Sequence, residues 1–372
     1  MIEYFAGLAR ELKGETVPLG AGQLNYIVRE PLGVVAKIVP FNHPIMFAAM
    51  KVAAPLAAGN AVIVKPSEQA PLSALRLAEL VADIFPAGIF NVLSGGRECG
   101  ATLASHPGIA KVSLVGSAAT GRAVLRSAAE TIKPVMLELG GKNALIVCPD
   151  ADIEAAIEGI VRGMNFAWAG QSCGSTSRAF IHESAYHRVV SGVVERVKAF
   201  RPGIPTEAET TMGCLVNKAQ RDRVLDYIQS ALAEGARLVT GGKVPDDPRL
   251  ADGAFVEPTV FADVTPTMRI AREEIFGPVL SILKWTDESE LMGAVNDVDV
   301  GLTASIWTRS LDVAHRLAAR VQVGYVWVNQ SSSHFLGTPF GGYKQSGLGR
   351  EESLEELLAY TQSKSITIKL AA

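Results

Sequence analysis

The sequence predicts an α/β protein in which a doubly wound parallel sheet is followed by a second α/β domain. Three observations predict it. The chain has 372 residues, more than one hydrophobic core of ordinary size organises. From Gly33 onward, short β-branched runs alternate with helical periods. The strand-like runs are continuously apolar rather than alternating, which burial on both faces demands.

Taken in order, strands are expected at "GVVAKIV", "NAVIVK", "FNVLS", "KVSLVG", "VMLE" and "ALIVC", with helices over "APLSALRLAELVADIF" and "ATGRAVLRSAAETI". Ligands of such sheets bind at the carboxyl ends of the strands. A longer helix begins near Asp152, a suitable N-cap, with Ile153, Ile157, Ile160, Val161 and Met164 on one face. The second series runs through "AFIHE", "YHRVVSGVVERVKAF", "RVLDYIQSALAEG", "PVLSILKW", "TASIWT", "DVAHRLAARV" and "YVWVN", and the boundary between the domains falls near Gly140 to Lys142. "GGKVPDDPRLADG" reads as a surface loop. The final "SKSITIKL" alternates as an edge strand does, and an edge strand at a chain end commonly pairs with another subunit.

Composition narrows the function classes. A formal net charge of -3 provides no field for a polyanion, so nucleic acid is not an expected partner. Cys99, Cys148, Cys173 and Cys214 lie far apart with no C-x-x-C pair, which excludes a zinc cage or disulfide framework, and no metal is expected. Lys or Pro interrupts every long apolar run, and "MIEYFAGLARELKGE" is not a signal peptide. The expectation is a soluble cytoplasmic protein with no membrane partner.

Chemistry centres on "GQSCGSTSRAF". A nucleophilic cysteine needs a reachable thiolate and donors for the oxyanion it creates. Gly170, Ser172 and Gly174 leave the backbone at Cys173 open, and its own N–H is a candidate donor. The alternative, a buried structural thiol, is the reading for Cys99, Cys148 and Cys214. In "ELGGKN", Glu138 ends an apolar strand ahead of two glycines where a turn is required; partial desolvation there suits a general base, and an ordinary exposed Glu is the alternative. Asn42 in "IVPFNHPIMF" is an amide fixed between prolines and can donate to an oxyanion, although Asn and Pro also simply form turns, and His43 is a loop residue.

In "VIVKPSEQAP", Lys65 can bond ribose hydroxyls or phosphate, and Glu68 can accept from a ribose 2′-OH while repelling a 2′-phosphate, favouring NAD over NADP. Ser67 or Glu68 capping the next helix is the plainer reading. "LVGSAATGR" offers Gly116, Ser117 and Gly121 at a strand-to-helix junction where N–H groups meet a pyrophosphate, yet it is neither G-x-G-x-x-G nor a Walker A.

Together with "PFNHP", "KPSEQAPLSA", "VGSAATG", "LELGGKN" and "GQSC", the motifs "REEIFGPV", "NDVDVGLTASIWT", "GYVWVN" and "PFGGYKQSGLGRE" stand in one order. In these nine, from about Glu3 to the C-terminus, the chain resembles the NAD(P)-dependent aldehyde dehydrogenases. The resemblance implies a remnant of the cofactor domain over 1–12, an oligomerisation hairpin over 13–31, an NAD-binding domain over 32–140, a catalytic domain over 141–343, and a C-terminal return with an oligomerisation strand over 344–372. It also implies a further N-terminal segment, without which apolar sheet surface would be uncovered. Phe41 stands where many relatives have Trp.

By the same resemblance Cys173 attacks the aldehyde, Asn42 and the Cys173 N–H hold the oxyanion, and Glu138 activates the water that hydrolyses the thioester. Lys65 and Glu68 would bind the adenosine ribose, Gly116 and Ser117 the pyrophosphate, and Glu274 the nicotinamide ribose beside Phe276. Phe47, Met50, Trp168 and His334 are candidates to line an aldehyde channel, and none is acidic, which favours a medium-sized uncharged aldehyde. The implied cofactor is NAD, with NADP as the alternative, and the implied assembly a homodimer or homotetramer. Two rival functions are an acyl transfer to coenzyme A, which has no need of Glu138, and a truncated non-catalytic relative.

Overall fold

The computed structural model describes residues 1–370. The chain forms two compact units: Met1–Glu138 with Phe335–Gly341 and the segment from Gly347 onward, and Leu139–His334 with Gly342–Ser346.

The first unit carries a six-stranded sheet in the order Gly347–Leu348, Val135–Leu139, Lys111–Gly116, Val34–Ile38, Ala61–Lys65, Phe90–Val92. Val34–Ile38 lies parallel to both Ala61–Lys65 and Lys111–Gly116, with Ile38 opposite Lys65 on one side and Leu114 on the other. The chain thus starts in the middle, builds outward to Phe90–Val92, then returns and builds the other way. Val35, Val62, Val64 and Val112 are fully buried, the reason these strands read as unbroken apolar runs. Pro44–Met50 packs with Leu72–Val81, and Arg97–Ser105 with Ala118–Ala129. The helices Pro44–Met50 and Ala53–Ala57 are additions to the expected elements; both are short and alanine-rich, with too few turns to show a period.

A separate antiparallel sheet joins Glu15–Thr16, Gln23–Pro31 and Thr361–Lys369. The C-terminal strand, expected at an edge, is zipped along its whole length to the chain's own Gln23–Pro31, from Thr361 opposite Pro31 to Lys369 opposite Gln23. Asn25 reinforces the pairing by donating to Ser365 Oγ (2.9 Å) and Thr367 Oγ1 (2.8 Å).

The second unit holds a seven-stranded sheet: Arg237–Thr240, Thr259–Ala262, Val279–Trp285, Arg178–His182, Ala144–Val147, Thr303–Trp307, Tyr325–Val328. Only the Arg237–Thr240 edge is antiparallel to its neighbour. Ile146, Phe180 and Leu283 pack on one face, and Leu145, Ile181 and Ile282 on the other. Asp152 caps Ile153–Gly163 as expected, accepting from the Ala155 N–H at 3.2 Å, and Ile157, Ile160 and Val161 are buried against Tyr186–Val197. Among the described residues, no helix is long and apolar enough to cross a membrane, and no group of His, Cys, Asp and Glu could hold a metal ion.

Candidate active site

In the first unit the candidate residues collect at the carboxyl ends of the parallel strands, where the strand order reverses. Phe41, Asn42 and His43 follow Val34–Ile38 and are each half-buried. Their loop is pinned on one side by the Val39 N–H donating to Lys65 O (3.0 Å), and on the other by Pro44 at the first helical position. The His43 ring meets Phe47 edge-on at 5.8 Å.

Lys65 ends the neighbouring strand and is buried, while Glu68 is exposed and takes its ammonium at 3.3 Å. The Glu68 carboxyl is held below the usual range, first by its own backbone N–H and then by Lys65 working against desolvation. An ionised Glu68 therefore stands beside a cation, an arrangement that accepts from a ribose diol and repels a phosphate on it. The capping reading is overturned: Pro71 is the N-cap of Leu72–Val81, and Ser67 instead closes a local turn by accepting from the Gln69 N–H (3.2 Å).

Gly116 ends Lys111–Gly116, and the exposed Ser117 caps the twelve-residue helix Ala118–Ala129, accepting from the Thr120 N–H at 3.2 Å. The amide dipoles of that helix point to the same sheet edge as Lys65, which suits a pyrophosphate beside a ribose. These residues fit a dinucleotide. Glu68→Gln is expected to lower the KM for NADP about tenfold, the scale of one removed charge acting on a 2′-phosphate; initial rates with NAD and NADP in parallel check this.

Glu138 lies near the end of Val135–Leu139 and is only 3% exposed, so it is not a strand-end carboxylate in water. Gly347 pairs with it across the sheet. The same unit buries a Lys51–Glu351 ion pair. Burial pulls the Lys51 ammonium down, but Glu351 and then Glu356, Glu352 and Glu138 outweigh it and hold it above the usual lysine range. Lys51 thus lies in the field of Glu138, a link not foreseen from sequence because 87 residues separate them.

In the second unit, Cys173 sits on a tightly wound turn. Asn165, Ala169 and Gly170 have φ of 58°, 51° and 67°, and a side chain at Gly170 would collide with the Gly277 carbonyl. Two side chains hold this turn. Gln171 accepts from the Val216 N–H at 2.9 Å, and Asn143 donates to Cys173 O at 2.7 Å and Ser175 O at 3.1 Å. Asn143 Oδ1 in turn accepts from the Thr303 N–H at 3.0 Å, so a central strand braces the loop through one amide. The sequence contains Asn143 inside "ELGGKN" but carries no signal for this role.

The two preceding glycines also have a different purpose from the expected turn. Neither has a positive φ; a side chain at Gly140 would collide with the Glu274 carboxylate, and one at Gly141 with the Asn143 amide. Asn143→Ala is expected to lower kcat about 100-fold with the fold intact, since a misplacement of about 1 Å of a reacting group can cost that much; steady-state kinetics beside a melting curve checks it.

The other cysteines divide. Cys148 is 1% exposed, and burial, with Asp150, pushes its thiol up to about 12, so it is inert. Cys99 is half-buried and Cys214 exposed, which corrects their reading as buried thiols: one lies on the first turn of Arg97–Ser105 and the other in a loop. Cys173 is half-buried.

Glu274 and Phe276 lie in the loop between Arg269–Arg272 and Val279–Trp285. Glu274 accepts from the Gly141 N–H at 3.2 Å, and desolvation pushes its carboxyl up to about 7 against the pull of that bond, Lys142 and Arg223. Gln220 donates to Ile275 O and Phe276 O, both at 3.0 Å, and Arg223 to Glu274 O at 3.1 Å, anchoring the loop to Lys218–Ala233. Glu274, Phe276, Gly141, Ser172 and Ser175 line one small pocket, where a buried acid and a glycine backbone fit a ribose hydroxyl pair.

The channel candidates are dispersed over both units. Phe47 is 6% exposed and belongs to the core with Val39, Val62 and Val64, so its ring is committed to packing, while Met50 is half-buried. Trp168 is 51% exposed, and His334, also exposed, meets the rings of Tyr325 and Trp327, each at 6.4 Å.

Comparison with known proteins identifies the family. The model of the aldehyde dehydrogenase family matches residues 1–366. The aldehyde dehydrogenase tropH of Talaromyces stipitatus is 55% identical over 376 residues, covering 99% of this chain and 73% of that protein. The betaine aldehyde dehydrogenase of Brucella melitensis is 46% identical over 370 residues, with 99% and 76% covered. The NAD+ complex of the Bacillus cereus aldehyde dehydrogenase superposes with a TM-score of 0.95 at 41% identity, covering 99% of this chain and 74% of that one. The chain therefore belongs to the aldehyde dehydrogenase family and oxidises aldehydes with NAD as the acceptor.

Proposed function

We propose that the oxidation runs through Cys173 as a covalent catalyst and yields the free carboxylic acid. The observation that carries this reading is the Asn143-clamped turn, which holds the half-buried Cys173 in one backbone conformation while Cys148 is buried and inert. The Cys173 thiolate adds to the carbonyl carbon, and the oxygen takes the negative charge, stabilised by the Cys173 N–H and the Asn42 amide. When bound, NAD accepts the hydride whose departure converts the adduct to a thioester. Glu138 then takes a proton from water as the hydroxyl adds to the thioester carbon, and the C–S bond breaks to release the acid and the Cys173 thiolate. Lys65, Glu68, Gly116 and Ser117 would hold the adenosine and pyrophosphate end of the cofactor, and Glu274 with Phe276 would hold the nicotinamide ribose.

The substrate assigned is a medium-sized uncharged aldehyde, because none of Met50, Trp168 and His334, the channel candidates not committed to the core, can pair with a cation through a carboxylate. A panel of aliphatic, aromatic and trimethylammonium aldehydes tests this. The expected kcat/KM is highest for an uncharged member, and preference for the cationic one would overturn the assignment. That no disulfide joins the cysteines Cys99, Cys148, Cys173 and Cys214 supports a reducing, cytoplasmic setting. The sheet of Glu15–Thr16, Gln23–Pro31 and Thr361–Lys369 ends on a nine-residue strand, which supports assembly as a homodimer or homotetramer through that edge.

A further inference from the structure

Asn165 follows the helix Ile153–Gly163 and is buried within the second unit. Its φ of 58° lies in the left-handed region, which asparagine enters at less cost than most side chains. In that conformation its backbone carbonyl accepts from two amides, the Trp168 N–H and the Gly170 N–H, both at 3.0 Å. Asn165 therefore opens the wound turn that displays the exposed Trp168 and leads to Cys173.

The side-chain amide makes a second set of contacts. Nδ2 donates to Gly163 O at 3.2 Å and to Ser175 Oγ at 3.1 Å, and it lies 3.5 Å from Ser332 Oγ. Gly163 O also accepts from the Thr176 N–H at 2.9 Å, and a side chain at Gly163 would collide with Thr176 Oγ1 and press on Ser331 Cβ. A helix end, the segment just after Cys173 and the loop at 331–333 thus meet at one buried amide with no space for a further methyl group. The loop is fixed elsewhere by Ser305, which donates to Gln330 O at 2.7 Å, and by the Trp327 indole, which donates to Ser333 O at 2.7 Å. His334 comes next, exposed beside the rings of Tyr325 and Trp327. Trp168 and His334 therefore both depend on Asn165, one through its carbonyl and the other through its amide.

We propose that Asn165 is a positioning residue that sets the places of Trp168 and His334 relative to Cys173, and that it thereby governs selection among aldehydes by size. The proposal rests on the reading of Cys173 as the nucleophile and of those two rings as facing the aldehyde. Its effect differs in kind from that of Asn143, which holds Cys173 O itself. Loss of the Asn143 amide should slow every aldehyde alike, whereas loss of the Asn165 amide should change their ratio.

Asn165→Gly and Asn165→Asp separate the amide from the backbone conformation. Glycine adopts a φ of 58° without strain, and aspartate keeps the shape and the left-handed tolerance but offers no donor, so if one fails to fold the other still decides. Steady-state kinetics of the full chain with propanal and with benzaldehyde, beside hydrogen exchange read by mass spectrometry, tests the proposal. The expected result is a change of about tenfold in the ratio of the two kcat/KM values, carried by KM, with kcat for propanal within about threefold of wild type. Amide exchange should quicken in both 172–176 and 330–334. An equal loss for the two aldehydes, unchanged kinetics in a folded variant, or faster exchange in 172–176 alone would overturn the proposal. Turnover retained by Cys173→Ala would instead remove the nucleophile reading, and the exchange measurement, which uses no substrate, does not depend on it.

Discussion

Cys173→Ala is expected to abolish NADH formation, by at least about 10⁴-fold, while leaving NAD binding and the melting temperature unchanged. The size of the loss follows from covalent catalysis, because without the sulfur there is no adduct from which a hydride can leave. The selectivity follows from the turn. Asn143 holds the backbone carbonyl of residue 173 and Gln171 holds the adjoining Val216 N–H, and neither contact uses the thiol. Alanine keeps the Cβ, so the turn survives and the chemistry does not. Rate measurements with an aldehyde at saturating NAD, beside cofactor titration by fluorescence, separate the two effects. Retained turnover would transfer the nucleophile's role to Cys99 or Cys214, the other thiols that reach solvent, since Cys148 is buried with its thiol pushed up to about 12. Loss of both turnover and cofactor binding would make residue 173 structural.

Glu138→Gln should produce a different failure. The first turnover should release one equivalent of NADH per active site at close to the normal rate, after which steady-state turnover falls by about 10²- to 10⁴-fold, the range of a general base. The acyl group then remains on Cys173, and intact-protein mass spectrometry should find it. The amide is isosteric and uncharged, so it also removes a negative charge from the field of Lys51, whose pairing with Glu351 persists. The variant should therefore stay folded. A missing burst would place Glu138 before hydride transfer. The wild-type protein also discriminates the acyl-transfer rival: added coenzyme A should leave its rate unchanged, because the route through Glu138 uses water.

Much of the first unit was legible because its strands are buried on both faces and announce themselves as apolar runs between turn residues. Lys111–Gly116 and Ala61–Lys65 lie within one residue of their expected ends. Asp152 showed its cap because capping is local chemistry. Pro44–Met50, Ala53–Ala57 and the four-residue strand Thr259–Ala262 are too short to display a period, and their identity comes from neighbours distant in the chain.

The sequence by itself determined the fold class and the family, because apolar periodicity and motif order are properties of the linear chain. Only the tertiary structure decided what constrains the candidate site side chains. That Asn143 clamps Cys173 O, that Gly140 and Gly141 are glycines for lack of room beside Glu274 and Asn143, and that Gln220 anchors the Phe276 loop all depend on contacts between residues distant in sequence. The same holds for Asn165, an ordinary amide after a helix until folding buries it and brings Ser175 and Ser332 to it. Close approach and desolvation arise only when separate strands are brought together, so no pattern along the chain encodes them.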